Sequence, residues 1–143
     1  MNANELRIGN RVQGISIGRS IELPNGINYK IVELLAFTCK VVREDEIPAT
    51  VEKWLEFSYS LLAPIPLTPE ILERCGWVWN QECDSFEKYP NGDARMNLQY
   101  RSVNSSFTMF NYVLKALIAD KIYYLHQLQN LVFALTGKEL EIK

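Results

Sequence analysis

The most regular hydrophobic pattern of the chain lies near its end, in residues 124–137. At about 100° per residue, its apolar side chains fall on one arc, as expected for an amphipathic helix packed on a core. These side chains are Tyr124, Leu125, Leu128, Leu131, Val132 and Leu135. Gly137 follows the last of them and suits the left-handed conformation that ends a helix. The pattern predicts a long helix from about Ile122, with Asp120 just upstream as a candidate cap.

Short apolar runs separated by Gly, Asn and Pro fill residues 1–63. A Pro-Asn-Gly turn at 24–26 lies between the strand-like runs 21–23 and 27–42, and Asn-Gly is a hairpin signal because both residues tolerate positive φ. Apolar and polar residues alternate through 55–61, which is the period of a half-buried strand. Four or five short strands in this length predict a small N-terminal lobe of the SH3-like β-barrel type.

A Pro-Ile-Pro segment at residues 64–66 marks the predicted boundary between two lobes. Each proline fixes its own φ and restricts the residue before it, so the segment is stiff and extended. A short helix follows, with Thr68 as N-cap, Pro69 at the first helical position and Gly76 at its end. The second lobe is predicted to span residues 64–143, and one continuous compact domain is the alternative.

Strand patterns dominate the second lobe as well. Residues 85–89 and 94–101 flank a Pro-Asn-Gly-Asp turn, and residues 77–79 form a strand before them. In runs 107–110 and 112–118, odd and even positions are both apolar, so periodicity cannot distinguish a buried strand from a buried helix. Their β-branched and aromatic residues favour strands. The predicted fold class is α+β, in which a small N-terminal β-barrel-like lobe precedes an antiparallel sheet with one short and one long helix.

Composition is that of an ordinary soluble globular protein, with 48% hydrophobic and 22% charged residues. The formal net charge of -2 argues against a general nucleic-acid or membrane-surface binder, because such proteins use many Lys and Arg against phosphate or anionic lipid. The N-terminus lacks the basic head and apolar run of a signal peptide, and no apolar run is long enough to span a bilayer. A cytoplasmic location is expected.

Few residues suit catalysis or metal binding. His126 is the only histidine, so any Ser-His or Cys-His nucleophile has to use it. Cys39, Cys75 and Cys83 lack the closely spaced pairs of zinc sites, and Cys39 and Cys75 are expected to be small core residues. The carboxylates cluster in loops, where no two are predicted to face one substrate. The sequence predicts no catalytic residue, no metal and no cofactor, and it disfavours an enzyme.

One face of the predicted strand 94–101 offers candidate ligand-binding side chains, while Leu98 and Tyr100 are expected on the opposite, buried face. Arginine clamps phosphate with paired hydrogen bonds and aromatic faces stack on bases, so such a face suits a nucleotide or a short single strand. The alternative is an ordinary solvated strand whose long side chains cover the sheet. The candidates are Lys88, Arg95, Asn97, Gln99, Arg101, Trp77 and Trp79.

The arc of the long helix opposite its leucine stripe groups His126, Gln129, Asn130 and Phe133. Amide donors and acceptors beside an aromatic ring suit a partner-binding face. The favoured alternative is structural, in which His126 and Asn130 satisfy backbone groups at nearby strand ends and Phe133 packs on a second surface.

Three segments carry a resemblance to a known family: YLHQLQNLVFALTGKEL at residues 124–140, NELRIGN at 4–10 and PIPLT at 64–68. They resemble small proteins from phages and mobile elements of Bacteroidetes-type bacteria. This resemblance indicates a family but no known chemical activity. The resemblance implies a phage or mobile-element origin and the cytoplasm of a bacterial host.

The function expected on this basis is that of a non-enzymatic accessory protein that antagonises a host defence. It would occlude a defence protein or sequester its nucleotide signal, so the expected partner is a host protein or a small nucleotide and not a membrane. Two alternatives stay open. One is a nucleic-acid-associated module of phage replication or packaging, whose small barrel binds single strands, and the other is an enzyme that uses His126.

Overall fold

The computed structural model describes residues 1, 3–15, 27–46, 50–89, 96–101, 104–111 and 115–143, with the backbone alone at residues 46, 51 and 101. The chain forms two compact units, Met1–Ile65 and Pro66–Lys143. Each unit contains a five-stranded antiparallel sheet, and the second contains two helices, which confirms the α+β class. The strands are β1 (Arg11–Gly14), β2 (Asn28–Leu34), β3 (Thr38–Arg43), β4 (Leu55–Ser58), β5 (Leu62–Pro64), β6 (Val78–Asn80), β7 (Ser85–Lys88), β8 (Met96–Arg101), β9 (Ser106–Asn111) and β10 (Ala116–Ile122). The helices are α1 (Pro69–Arg74) and α2 (Leu125–Thr136).

The first sheet has the strand order β4-β3-β2-β1-β5, and each neighbouring pair is antiparallel. Successive side chains of a strand face opposite sides, so alternate residues of β2 and β3 enter the core. Tyr29, Ile31, Cys39 and Val41 are buried there with Val12 of β1. The burial of Cys39 confirms that this cysteine is a small core residue.

The predicted run 27–42 is two strands in the structure. The backbone N–H of Leu35 donates to the carbonyl of Thr38 at 2.9 Å, and the turn exposes Phe37. This turn contains neither glycine nor proline, so the sequence lacks the signals by which turns are ordinarily predicted. The predicted runs at 21–23 and the turn at 24–26 lie outside the described residues.

The alternating segment 55–61 is also interrupted. The strand ends at Ser58, whose side chain accepts a hydrogen bond from Ser60 N, and a 3-10 turn over Tyr59–Leu61 leads into β5. A serine side chain that bonds to nearby backbone competes with the sheet ladder, which explains the break. Within the described residues, β4 and β5 are the two edges of the sheet, so the sheet is open rather than closed as a barrel.

Helix α1 begins and ends where the sequence predicts. Thr68 Oγ1 accepts a hydrogen bond from Ile71 N at 3.4 Å, and Pro69 begins the helix. Gly76 follows the helix with a φ of +77°, a conformation that glycine adopts without a Cβ clash. Cys75 is buried beside it, as predicted for a small core residue.

The second sheet has the strand order β10-β9-β8-β7-β6, again antiparallel throughout. Strand β9 confirms the strand interpretation of residues 107–110, and β10 confirms it for residues 116–118. The predicted turn at residues 90–93 lies outside the described residues.

Helix α2 ends as predicted, with Gly137 at a φ of +69°. Its beginning differs from the prediction, because the N-cap is Tyr124 and not Asp120. Gln127 Oε1 accepts hydrogen bonds from Tyr123 N at 2.8 Å and from Tyr124 N at 3.1 Å, as the third residue of a capping box does. Neither helix of the described segments is long and apolar enough to cross a membrane.

The buried stripe of α2 is rotated from the predicted leucine stripe. Leu125, Leu128, Gln129 and Val132 are all buried, and they have the i, i+3, i+4, i+7 spacing of one helix face. Gln129 therefore lies inside the buried stripe, whereas Leu135 is 41% exposed.

Candidate ligand-binding cleft on the second sheet

The second sheet has an apolar face and a polar face. The register places Phe86, Leu98 and Met109 side by side on one face, where all three are buried. Their chain neighbours Glu87 and Asn97 are paired with each other on the opposite face. The polar face thus collects hydrogen-bonding side chains from several strands.

Glu87 joins side chains from three strands on the polar face. Its Oε1 accepts hydrogen bonds from Nδ2 of Asn80 at 3.0 Å and from Nδ2 of Asn97 at 3.2 Å. Nδ2 of Asn97 also lies 3.0 Å from Ser85 Oγ. Ser85, Glu87 and Asn97 are all buried, so these hydrogen bonds offset the cost of removing polar groups from water.

A second polar contact connects β9 and β10. Asp120 Oδ1 accepts hydrogen bonds from Thr108 Oγ1 at 2.7 Å and from Lys121 N at 2.8 Å. The pairing of β10 shifts register on both sides of Ala119, and Lys121 has a φ of +57°. Such bulges redirect side chains, and this one brings Asp120 to Thr108 instead of to the start of α2.

A cleft of about 490 Å³ lies along the polar face. Asn97 of β8 is directly paired with Phe110 of β9, and Gln99 lies two residues beyond Asn97 on the same face. Lys115, which precedes β10, is exposed. The lining residues are Glu82, Cys83, Asn97, Gln99, Phe110, Asn111 and Lys115.

Asn97 is the most deeply buried residue of this lining that carries a carboxamide. The residue is 3% exposed, and Nδ2 donates to both Ser85 Oγ and Glu87 Oε1. Among the described residues, its Oδ1 has no hydrogen-bond partner. A buried carbonyl oxygen without a donor is uncommon in folded proteins, and this one is covered by surrounding protein atoms rather than open to the cleft.

A second cleft, of about 730 Å³, surrounds the edge strand β6. Val78, Trp79 and Tyr89 are exposed in its lining, and Trp79 makes an edge contact with Phe86 at 5.0 Å between ring centroids. Lys88 also lines it, but Lys88 Nζ donates to the carbonyl of Cys75, and burial lowers the pKa of this ammonium group.

The predicted ligand-binding residues do not share one site in the structure. Asn97 and Gln99 line the smaller cleft, Lys88 and Trp79 line the larger one, and Trp77 is buried. Arg95 lies outside the described residues, and only the backbone of Arg101 is described.

The sequence predicts that Asn97 lies on a solvent-exposed face of β8 and that Tyr100 lies on the buried face. Both expectations are wrong. Asn97 is buried because Glu87 and Ser85 pair with it, and Tyr100 is 49% exposed although Phe107 contacts its ring. Alternation identifies the residues that share a face, but it does not tell which positions of that face are covered.

The predicted partner-binding residues do not form one surface. His126 and Gln129 are 1% and 2% exposed, Asn130 is half-buried, and Phe133 is exposed. The prediction that His126 lies on the arc opposite the core is therefore wrong, because the buried stripe of α2 extends to this side. The His126 ring is stacked on Tyr124 with 5.8 Å between centroids.

Sequence reasoning missed Glu87, Ser85, Phe110 and Lys115 as site residues. A signal was present for Ser85 and Glu87, because polar residues alternate with apolar ones in three successive strands, at 85 and 87, 97 and 99, and 106 and 108. Antiparallel hairpins bring matching parities onto one face, so the three polar sets belong together.

Among the residues that the structure describes, no three His, Cys, Asp or Glu side chains are grouped as metal ligands. Comparison with known proteins adds no assignment to this cleft, because the chain matches no protein-family model, no curated protein and no solved structure.

Proposed function

We propose that the protein is a non-enzymatic binding protein that holds a nucleotide in the cleft beside Asn97. The observation that carries this proposal is the set of carboxamides, aromatic ring and lysine around one cleft of about 490 Å³. Asn and Gln side chains pair with base edges, an aromatic ring stacks on a base, and Lys binds phosphate. The volume falls within the range of about 300–1,000 Å³ that is typical of small-molecule sites.

The arrangement of these groups suits the parts of a nucleotide. Phe110 is paired directly with Asn97, so a base stacked on the ring lies beside the carboxamide. Gln99 offers a second amide on the same face, and the exposed Lys115 adds a positive charge for phosphate.

Binding without turnover agrees with the position of the histidine. His126 is 1% exposed and is absent from the lining of the cleft, so a nucleophile activated by this ring has no access to a ligand there. Glu87, the buried carboxylate closest to Asn97, already accepts hydrogen bonds from two amides.

The resemblance to phage and mobile-element proteins supports a role in which the bound nucleotide is a host defence signal. The protein would act by stoichiometric sequestration, because each cleft removes one ligand from solution. Occlusion of a host defence protein is the alternative within this role, and Asn130 and Phe133 are its accessible contact residues.

Calorimetric titration of the protein with mononucleotides and cyclic dinucleotides tests the proposal. Phe110→Ala and Lys115→Ala should each weaken binding by about tenfold, since stacking and charge contribute independently. Phe37→Ala and Lys53→Ala make the same chemical changes at exposed positions of the first unit and should leave the affinity unchanged. The proposal fails if no nucleotide binds, or if both cleft variants bind as the unsubstituted protein does.

A nucleic-acid-associated module is the second candidate function. The larger cleft favours it, because Trp79 and Tyr89 are exposed there and aromatic rings stack on single-stranded bases. Affinity for a single strand should then fall steeply with salt. It should also fall in Trp79→Ala and in the double variant Arg95→Ala plus Arg101→Ala, while Phe110→Ala binds normally.

We propose an SH3-like arrangement for the first unit. The support is its strand order, β4-β3-β2-β1-β5, in which a 3-10 turn at Tyr59–Leu61 connects the two edge strands. Such a unit would serve the second candidate function as a binding platform.

A further inference from the structure

A carboxylate lies at one end of the smaller cleft. Phe86 of β7 is paired with Leu98 of β8. In this antiparallel register the loop 81–84, which precedes β7, leaves the sheet beside Gln99. Glu82 lies in this loop and lines the cleft, so its side chain belongs to the Gln99 end.

An ammonium group, that of Lys115, lies at the other end. Asn111 pairs with both Met96 and Ala116. Lys115 precedes Ala116 and therefore lies one position beyond Met96 in the sheet. Gln99 lies three positions from Met96 in the opposite direction, so four positions, or about 13 Å, separate Gln99 from Lys115. Among the described lining residues, Lys115 is the basic one and Glu82 the acidic one.

Both polar side chains at the carboxylate end are accessible to a ligand. Glu82 and Gln99 are exposed, and neither side chain has a hydrogen bond to another described residue. The backbone of Glu82 is nevertheless held in place, because its N–H donates to Asn80 Oδ1 at 2.9 Å and Asn80 Nδ2 donates to Glu87. The cleft thus offers the two acceptor oxygens of a carboxylate beside an amide that both donates and accepts.

Guanine is the common base whose edge matches these groups. Its Watson–Crick edge carries a carbonyl, a ring N–H and an amino group in a row. The two neighbouring donors suit the two oxygens of Glu82, and the carbonyl suits the amide of Gln99. Adenine presents a ring-nitrogen acceptor in place of the N–H, which a carboxylate repels. Hydrogen bonds to an ionised carboxylate are stronger than those between neutral groups, so the difference between the two bases should be large.

We propose that the cleft is specific for guanine nucleotides, an inference that rests on the nucleotide-binding function proposed above. Glu82 binds the N–H and the amino group of the base, and Lys115 binds the phosphate. The base edge and the phosphate lie at opposite ends of a nucleotide, as the two charged groups do in the cleft. Phe110 is paired with Asn97, midway between these ends, where its ring stacks on the base.

Matched ligands test the specificity on the unsubstituted protein by calorimetric titration. Inosine monophosphate is guanosine monophosphate without the amino group, and adenosine monophosphate also lacks the ring N–H. We expect guanosine monophosphate to bind about tenfold more tightly than inosine monophosphate, because one hydrogen bond to a charged group is lost. Adenosine monophosphate should bind more weakly than either.

Glu82→Gln tests the role of the carboxylate. An amide replaces one of its two acceptors by a donor, so the preference for guanosine over inosine monophosphate should fall to within about twofold. The same amide pairs with the donor and acceptor of adenine, so the affinity for adenosine monophosphate should rise. A gain of binding is a result that a loosened cleft would not give.

Asp84→Asn is the matched control. It neutralises an exposed carboxylate of the same loop that does not line the cleft, and asparagine tolerates the φ of +49° at this position. The control should retain the order of affinities for the three nucleotides.

The outcomes separate the two proposals. If no nucleotide binds, the proposed function fails and the specificity fails with it. If Phe110→Ala and Lys115→Ala weaken binding but the three nucleotides bind equally, or another base is preferred, the function stands and the specificity is overturned. If guanine is preferred and Glu82→Gln retains the preference, the role assigned to Glu82 is overturned. Should Glu82→Gln not fold, Glu82→Ala replaces it, and a retained preference there overturns the proposal.

Discussion

Thr108 of β9 donates its hydroxyl proton to Asp120 of β10, with 2.7 Å between the two oxygens. Thr108 is fully buried, so Asp120→Ala removes a hydrogen-bond acceptor from a buried hydroxyl. We expect this substitution to lower the free energy of unfolding by about 1–3 kcal/mol in urea denaturation. Thr108→Val combined with Asp120→Ala removes both partners and should recover part of the loss. A double variant less stable than Asp120→Ala alone would contradict this account.

Lys115 adopts a φ of +50°, in the left-handed region that costs a residue with a Cβ roughly 1–2 kcal/mol. Lys115→Gly removes this cost, while the greater loss of chain entropy by glycine on folding offsets part of the gain, so the free energy of unfolding should rise by up to about 1 kcal/mol. It should also weaken nucleotide binding. Lys115→Ala is the control, since it removes the charge and keeps the Cβ, and it should weaken binding without the gain in stability.

The three cysteines should differ sharply in reactivity. Cys39 and Cys75 are buried and Cys83 is half-buried, and burial raises the pKa of the Cys39 thiol to about 11. At pH 8 we expect a disulfide reagent to label one thiol rapidly and the other two only after denaturation, because the thiolate is the reactive form. Mass spectrometry should locate the first label at Cys83, and a bound nucleotide should slow it because Cys83 lines the cleft. Equal rates at Cys39 and Cys83 would contradict the buried environment of Cys39.

Alkaline pH should destabilise the fold through Cys39. Burial, with a smaller effect of the Glu56 carboxylate, raises the pKa of this thiol from 9.0 to about 11. Between these values the folded protein keeps a proton that the unfolded chain has lost, so stability falls as pH rises. The slope contributed by this group approaches about 1.4 kcal/mol per pH unit between pH 9 and 11.

Urea denaturation at a series of pH values measures this slope, and Cys39→Val should reduce it while Cys83→Ser should not. Part of the slope should remain in Cys39→Val, because burial also raises the pKa of Tyr59. An unchanged slope in Cys39→Val would show that other groups cause the alkaline loss.

The ends of the helices could be predicted because capping is local. Thr68 and Pro69 begin α1, and Gly76 and Gly137 end the two helices in left-handed conformations. Each of these effects depends on the residue itself and its nearest neighbours in the chain, so the sequence is sufficient to identify it.

The rotation of the buried stripe on α2 could not be predicted in the same way. Leucines suggested a stripe through Leu131 and Leu135, whereas the structure buries Gln129 and His126. The face that a helix buries depends on the element against which it packs, and a polar side chain is accepted there when the fold supplies partners for it.

Prediction of the full set of cleft residues would have required the register between neighbouring strands. Asn97 and Gln99 were predicted to bind a ligand, but Phe110 and Lys115 join them only through the pairing of β8, β9 and β10. The orientation of Asn97 depends in turn on Glu87, ten positions earlier in the chain. Such contacts are invisible to periodicity, which describes one strand at a time.

The hydrogen bonds that converge on Glu87 have an evolutionary consequence. Positions 80, 87 and 97 lie on three adjacent strands and share one acceptor, so a change at any of them alters the constraints on the other two. We expect homologous chains to exchange these three residues together rather than singly. A single substitution at one of these positions would remove a hydrogen bond from a buried group, so accepted changes in this part of the sheet would arrive as linked sets instead of one at a time.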